Sequence, residues 1–367
     1  MHVAVDLRVL DRDGMERSGI GRYAVGAMRA LRQARPDWTF TVHSHRPDLI
    51  DDPGITLQRT RLPTRLALGR VAWLHLAAGT RSSPAPDVWW GPAFTLPPRW
   101  RGPAVVTVHD LVFRIRPELY RSRLRARYAS RATLGSVRRA QRVLCPSTAT
   151  ADRLLRELGI DPRKVLVAPW GVDDVFHSSQ HDERGDYVLF VGRWEPRKGL
   201  GILHRAIRDL AADGRRLRLV VAGGPGWRAE GEIRSLRADP DVDLVQDPSD
   251  RRLAELYAHA LALVYPSSME GFGFPVAEAM ASGCPVAASD LPELRELAQD
   301  AAIYFRPGDQ GDLADALRIL ADDAGRRRRM ADRGREVAAR LTWANCGQVA
   351  ARALEAAVAD ASRSRRL

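Results

Sequence analysis

The sequence reads as an α/β protein of two domains, each a parallel sheet flanked by helices. Three observations carry that reading. At 367 residues the chain is longer than a single domain commonly runs. Short β-branched runs alternate with longer amphipathic stretches, the pattern of βα units feeding a parallel sheet. The stretch 171–186 is polar, with His, Ser, Gln and Asp and no apolar periodicity, and it divides the alternation in two. The expected organisation is a first domain over 1–172, a linker over 173–186 and a second domain over 187–345. A final helix over 346–367 is expected to pack back toward the first domain.

In the first half, strands are expected at Val3–Leu7, Phe40–His43, Val105–Val108, Val143–Cys145 and Val165–Ala168. Helices fit Gly21–Gln33, Arg65–Ala77, Leu119–Ala140 and Ala149–Leu158. In the second half, strands fit Tyr187–Val191, Leu217–Ala222, Leu261–Val264, Val286–Ala288 and Ala302–Phe305, with helices between them. Two such domains would face each other across a cleft, with ligands at the carboxyl ends of the strands. The four-arginine run Arg326–Arg329 reads as a solvated helix face, and Arg363, Arg365 and Arg366 as a frayed end.

Composition narrows the function. Hydrophobic residues make up 45% and charged residues 28%, an ordinary globular balance. Cys145, Cys284 and Cys346 show no C-x-x-C pairing, which argues against a disulfide framework or zinc site and fits a reducing cytoplasm. The first residues read as a strand and not as a signal peptide, and no apolar run is long enough for a spanning helix. Residues 1–175 carry a net charge of +13 and residues 176–367 a net of −1. A basic half suits an anionic partner, although the cations are nearly all Arg in an Arg- and Ala-rich chain, which composition alone explains.

Two stretches carry chemistry. Tyr187-Val-Leu-Phe-Val-Gly192 is a buried strand ending in glycine. The cation-rich turn Arg193-Trp-Glu-Pro-Arg-Lys198 follows and opens a helix. That arrangement suits an anion, because a helix start offers unpaired N–H groups and positive potential. Arg193 can grip a phosphate with two bonds and Lys198 adds a point charge. The second stretch runs from Val264 through Glu270-Gly-Phe-Gly-Phe-Pro-Val-Ala-Glu278. Here a strand ends, a loop holds Glu270, and Pro275 stands at a helix start with Glu278 one turn in. Gly271 and Gly273 allow close backbone approach. The N–H groups of Phe272, Gly273, Phe274 and Val276 are candidates to meet a ligand. Carboxylates suit vicinal diols, since each accepts two hydroxyl protons.

These motifs resemble the retaining glycosyltransferases of family 4, which have the GT-B fold of two Rossmann-like domains. The matching pieces are Glu270-Gly-Phe-Gly-Phe-Pro with Glu278-Ala-Met-Ala-Ser-Gly-Cys-Pro-Val, Gly192-Arg193 with Lys198-Gly199, and Pro169-Trp-Gly-Val-Asp173. Thr107-Val-His109-Asp110 and Pro146-Ser147 match in the first half. The resemblance implies that Glu278 binds the ribose of a nucleotide. It implies that Glu270 and the backbone of Gly271 to Phe274 hold the donor sugar, and that Arg193 and Lys198 neutralise the diphosphate. Such electrostatic stabilisation can replace a metal. His109 would reach the sugar from the first domain, with Asp110 an orienting or helix-start residue. Ser18, Gly19 and Gly21 would form a glycine loop beside the phosphate. No metal and no separate cofactor are implied, because the nucleotide sugar is itself a substrate.

The resemblance further implies hexose transfer, mannose-type favoured, from a GDP- or UDP-sugar to a glycan, a lipid-linked glycan or a small molecule. No carboxylate pair is set as nucleophile and acid, so attack on the same face as departure is favoured over a double displacement. The segment Val245–Asp250 lacks the glycine that family members commonly carry, which leaves the base open. Arg121–Arg131, with Arg138, Arg139 and Arg142, and the segment Arg61–Arg81 with Trp73, Leu74 and Leu76, would let the enzyme rest on an anionic membrane. The same regions also read as a solvated helix pair. A nucleotide-sugar epimerase or phosphorylase of similar fold is the alternative enzyme. A nucleic-acid-binding protein is a remote one, disfavoured by the few aromatics among the cations, so no nucleic acid is expected as partner. A catalytically silent homologue would not keep the full set of site residues.

Overall fold

The structure is a computed structural model, and it describes residues 1–11, 14–46, 52–59, 67–77, 85–120, 122–177 and 185–364. Arg12 and Asp13, residues 178–184 of the expected linker, the basic residues Arg61, Arg65, Arg81 and Arg121, and the terminal Arg365 and Arg366 lie outside the described residues, as does the side chain of Arg70. The chain forms two compact units, Met1–Gly171 with Thr342–Leu367, and Val172–Leu341.

The first unit holds a seven-stranded sheet of β1 (His2–Asp6), β2 (Thr39–His43), β3 (Ile55–Gln58), β4 (Val88–Gly91), β5 (Ala104–Thr107), β6 (Arg142–Cys145) and β7 (Val165–Val167). All pairs are parallel and the order is β3-β2-β1-β4-β5-β6-β7. Helix Gly19–Ala34 begins at Ser18, whose Oγ accepts from the Gly21 N–H at 3.1 Å. Helix Arg123–Arg139 is capped in the same way by Ser122, so it starts later than the Leu119 expected from periodicity. A hydroxyl cap satisfies donors that the first helical turn leaves unpaired. The C-terminal helix Trp343–Ser364 packs on Gly19–Ala34 within this unit.

The second unit holds a six-stranded sheet of β8 (Tyr187–Val191), β9 (Arg218–Gly223), β10 (Val242–Gln246), β11 (Ala262–Tyr265), β12 (Val286–Ser289) and β13 (Ala302–Phe305). It too is fully parallel, in the order β10-β9-β8-β11-β12-β13. β11 and β12 are buried along their whole length, as parallel strands between two helical layers must be. Val188, Phe190, Val221 and Val264 meet Leu203, Ile207, Leu313 and Leu317 in one core. Each such side chain contributes roughly 1.5–3 kcal/mol when taken out of water.

Strands β3, β4 and β10 are absent from the expectation drawn from the sequence. In both sheets the first strand stands next to the fourth, so the strand order reverses between β1 and β4 and between β8 and β11. That reversal opens a crevice at the carboxyl ends of the two central strands, where open α/β sheets bind ligands.

Candidate active site

In the second unit the two chemical stretches meet at this reversal. β8 ends at Val191 and its loop turns through Pro196–Lys198 into helix Leu200–Ala212. β11 ends at Tyr265 and its loop runs to helix Phe274–Ala281. The loops are stitched together: the Ser268 N–H and hydroxyl both donate to the Arg197 carbonyl, at 2.8 and 3.1 Å. Arg197 Nη1 returns a bond to the Met269 carbonyl at 3.1 Å. Gly199, at φ +69°, sits where a Cβ would overlap the Pro266 carbonyl oxygen. Only glycine meets both conditions.

The stitching brings a carboxylate and two cations into one buried cluster. Lys198 Nζ donates to Glu270 Oε1 and to Tyr265 Oη, each at 2.6 Å. Arg197 Nη1 donates to the same Glu270 oxygen at 3.0 Å, and its Nε lies 2.9 Å from Glu195. Trp227 Nε1 donates to the other Glu195 oxygen at 2.9 Å. Lys198 is 7% exposed and Glu270 8%. Burial would raise the pKa of Glu270, but the Lys198 ammonium and the Arg197 guanidinium outweigh it and hold the carboxyl down at about 2. Burial lowers the pKa of Lys198, Arg197 lowers it further and Glu270 opposes both. Burial pushes the Tyr265 phenol well above its ordinary value. At neutral pH the site therefore presents a carboxylate and not a carboxylic acid.

Arg193 lies apart from this cluster: its guanidinium is exposed and donates to the Pro225 carbonyl at 2.6 Å. Arg197, which the motif reading passed over, holds Glu270 instead. Gly192 closes β8, its N–H on the Ala222 carbonyl at 3.0 Å. Gly273, at φ +103°, caps helix Phe274–Ala281, and Pro275 is its second residue. The Val276 N–H is engaged within that first turn, on the Gly273 carbonyl at 2.9 Å. Glu278 is buried one turn in, and Tyr257 Oη donates to its Oε2 at 3.0 Å. Asp247, in the segment without glycine, adopts φ +44°, a left-handed conformation that Asp tolerates better than most residues.

In the first unit His109 follows β5, caged edge-on by Tyr23, Phe94 and Trp170 at 4.9, 5.1 and 5.3 Å between ring centres. Its Nε2 lies 2.7 Å from the Pro92 carbonyl. A carbonyl only accepts, so Nε2 carries the proton and Nδ1 holds a bare lone pair. That Nδ1 is buried without a partner among the described residues. Burial lowers the pKa of His109 to about 4, against the pull of the Pro92 bond. Asp110 Oδ1 accepts from the Val112 N–H at 3.1 Å, the bond of a helix-start residue. Gly19 and Gly21 open helix Gly19–Ala34, and a Cβ on Gly21 would overlap the Met15 carbonyl.

Comparison with known proteins gives two family matches: Glycosyltransferase Family 4 over residues 17–176 and Glycosyl transferases group 1 over residues 172–337. O-antigen chain mannosyltransferase B of Escherichia coli is 32% identical over 285 residues, 71% of each chain. The chain belongs to the family 4 glycosyltransferases. Serotype-specific mannosyltransferase WbdA of Escherichia coli is 37% identical over 133 residues, a match that spans 35% of this chain and 16% of that protein. The crystal structure of Anabaena Alr3699/HepE in complex with UDP and glucose superposes with a TM-score of 0.73 at 18% identity, over 97% of this chain and 99% of that one. The fold is that of GT-B glycosyltransferases, and this glycosyltransferase carries its ion cluster in the unit matched by the group 1 model.

Proposed function

We propose that this glycosyltransferase moves a mannose-type hexose from a GDP- or UDP-sugar to a glycan or lipid-linked glycan, with retention of anomeric configuration. The observation that carries the reading is the buried cluster of Lys198, Arg197 and Glu270 at the strand reversal of the second unit. The mannosyltransferase names of the relatives support the sugar class. In this reading Glu270 and the backbone from Gly271 to Phe274 take the sugar hydroxyls. Glu278, steadied by Tyr257, takes the ribose diol. Lys198 and Arg193 neutralise the diphosphate. The bare Nδ1 of His109 accepts a substrate hydroxyl.

The bond from the anomeric carbon to the phosphate oxygen breaks first, and its electron pair stays on the diphosphate. Lys198 stabilises that growing charge from a buried position where fixed charges act strongly, and Arg193 adds a second cation from its exposed turn. The acceptor oxygen attacks the same face, and its proton passes to the departing phosphate oxygen. Glu270 stays anionic throughout and positions the sugar.

Thermal-shift titration with GDP-mannose, UDP-hexoses and dTDP-sugars tests the donor, because a ligand that binds only the folded state raises its stability. Lys198→Ala and Glu270→Ala should each cut turnover by about 100-fold or more, measured below the melting temperature of each variant so that lost stability is separated from lost catalysis. Near-normal rates in both variants would refute the site.

A further inference from the structure

We propose that Tyr265 is a positioning residue for glycosyl transfer: its phenol oxygen holds the Lys198 ammonium in one orientation and so commits a single N–H to the departing diphosphate. The inference rests on the role of Lys198 proposed above. Tyr265 closes β11, and Lys198 follows the neighbouring strand β8, so the strand pair sets the distance between them. The tyrosine is 1% exposed, and packing on all sides fixes where its oxygen stands. A lysine ammonium carries three donors and no acceptor. One goes to Glu270 Oε1 and one to Tyr265 Oη, each at 2.6 Å. The third has no partner among the described residues.

Two bonds do what one cannot. The ammonium sits on a flexible stem, and a single bond to Glu270 would let it pivot about that bond. A second bond to a fixed oxygen holds the nitrogen, and tetrahedral geometry then sets the direction of the remaining N–H. A donor already in place needs no rearrangement as charge grows on the leaving group, which is where electrostatic stabilisation gains most. The oxygen makes this hold and the ring face does not: Nζ lies 4.8 Å from the ring centre against 2.6 Å from Oη. A phenylalanine would fill the same core position with no polar group to satisfy. The phenol instead spends its oxygen on the cluster, with Lys198 bonded to it and Glu270 in reach. Arg197 gives Lys198 no such hold. It is itself a cation, and it spends its bonds on Glu270, the Met269 carbonyl and Glu195.

The test compares Tyr265→Phe, Lys198→Ala and the double variant across pH, below the melting temperature of each. The rate read is release of nucleoside diphosphate from whichever of GDP-mannose and the UDP-hexoses stabilises the wild type in thermal shift. Tyr265→Phe should lower kcat about tenfold and leave the donor KM within about twofold of wild type. In the Lys198→Ala background the same change should cost less than about twofold, because no ammonium is left to hold. The alkaline limb of the Tyr265→Phe profile should move to lower pH. The phenol oxygen favours the charged ammonium, while Arg197, Glu270 and Glu195, the charges that face Lys198, stay as they were. A tyrosine that only packs would leave that limb in place and cost the same in both backgrounds; either result, or a wild-type kcat in Tyr265→Phe, would overturn the proposal. Near-normal turnover of Lys198→Ala would instead refute the site reading beneath it. The wild type supplies a second measurement, since Lys164 and Lys198 are the only lysines in the chain. In lysine 15N NMR the ammonium signal that disappears in Lys198→Ala should show protons slow to exchange with water, and fast exchange there would also overturn the hold.

Discussion

Glu270→Gln removes one charge and almost no volume. In the wild type the cluster holds the Glu270 carboxyl at about 2, against a reference near 4.5, with Lys198 at 2.6 Å and Arg197 at 3.0 Å. At about 1.4 kcal/mol per pKa unit, that preference for the carboxylate is worth roughly 3 kcal/mol of folded-state stability. The substitution leaves two cations facing each other in a buried place, so a loss of about 3–5 kcal/mol at pH 7 is expected. The sign of the pH effect follows from the direction of the shift. The wild-type contribution is fully present above the unfolded value near 4.5 and is lost as pH falls through about 2. The stability gap between wild type and variant should therefore be constant above pH 5 and narrow below it. Urea denaturation at a series of pH values measures this, with Lys198→Met and the double variant closing a thermodynamic cycle. The double variant should cost less than the sum of the two singles. A Glu270→Gln protein as stable as wild type at pH 7, with parallel curves down to pH 3, would refute the reasoning.

Two further outcomes follow from the geometry. Gly199→Ala should destabilise the second unit by about 1–3 kcal/mol, because it combines a strained backbone with an overlap at Pro266, and it should lower turnover by displacing Lys198; a thermal melt and a rate measurement check both. His109 is held neutral down to about 4 by burial, whereas the unfolded chain protonates it near 6.5. Stability should then fall as pH drops from 6.5 toward 4. His109→Gln should flatten that slope in acid denaturation, while the buried His43, also lowered to about 4, keeps its own share.

The architecture was legible where burial and periodicity agree. Tyr187–Val191 reads as a strand because five consecutive apolar residues end in a glycine, and the fold places the strand there. Val242–Gln246 escaped notice because its Asp and Gln make a half-exposed strand resemble a loop. Val88–Gly91 is buried yet short, and its tryptophans pass equally for helix or loop. Lys198 and Glu270 were readable from local pattern, and their contact needed the strand order. Arg197 was overlooked because the turn offers several cations and the motif favours Arg193. Tyr257 and Tyr265 belong to the site only through tertiary packing. One signal lay in plain view: among 57 cationic residues only Lys164 and Lys198 are lysines. In an arginine-rich chain, a lysine in a buried turn marks a place for a compact, rotatable charge that a planar guanidinium cannot fill.

The first unit is assembled from both sides of the second: Met1–Gly171 is completed by Thr342–Leu367. Helix Trp343–Ser364 lies so close on Gly19–Ala34 that a Cβ on Gly26 would press on the Trp343 ring at 2.5 Å and one on Gly347 would press on Ala30 at 2.6 Å. During synthesis the groove that receives this helix emerges early and its occupant arrives only after the intervening Val172–Leu341 has been made. The intervening unit can fold as it appears, since its sheet draws on no residue outside that span. The nascent protein thus passes through a stage with a finished second unit and an open first unit. A premature stop near Leu341 would freeze it there, exposing Tyr23-side helix surface to chaperones and proteases while leaving the ion cluster whole.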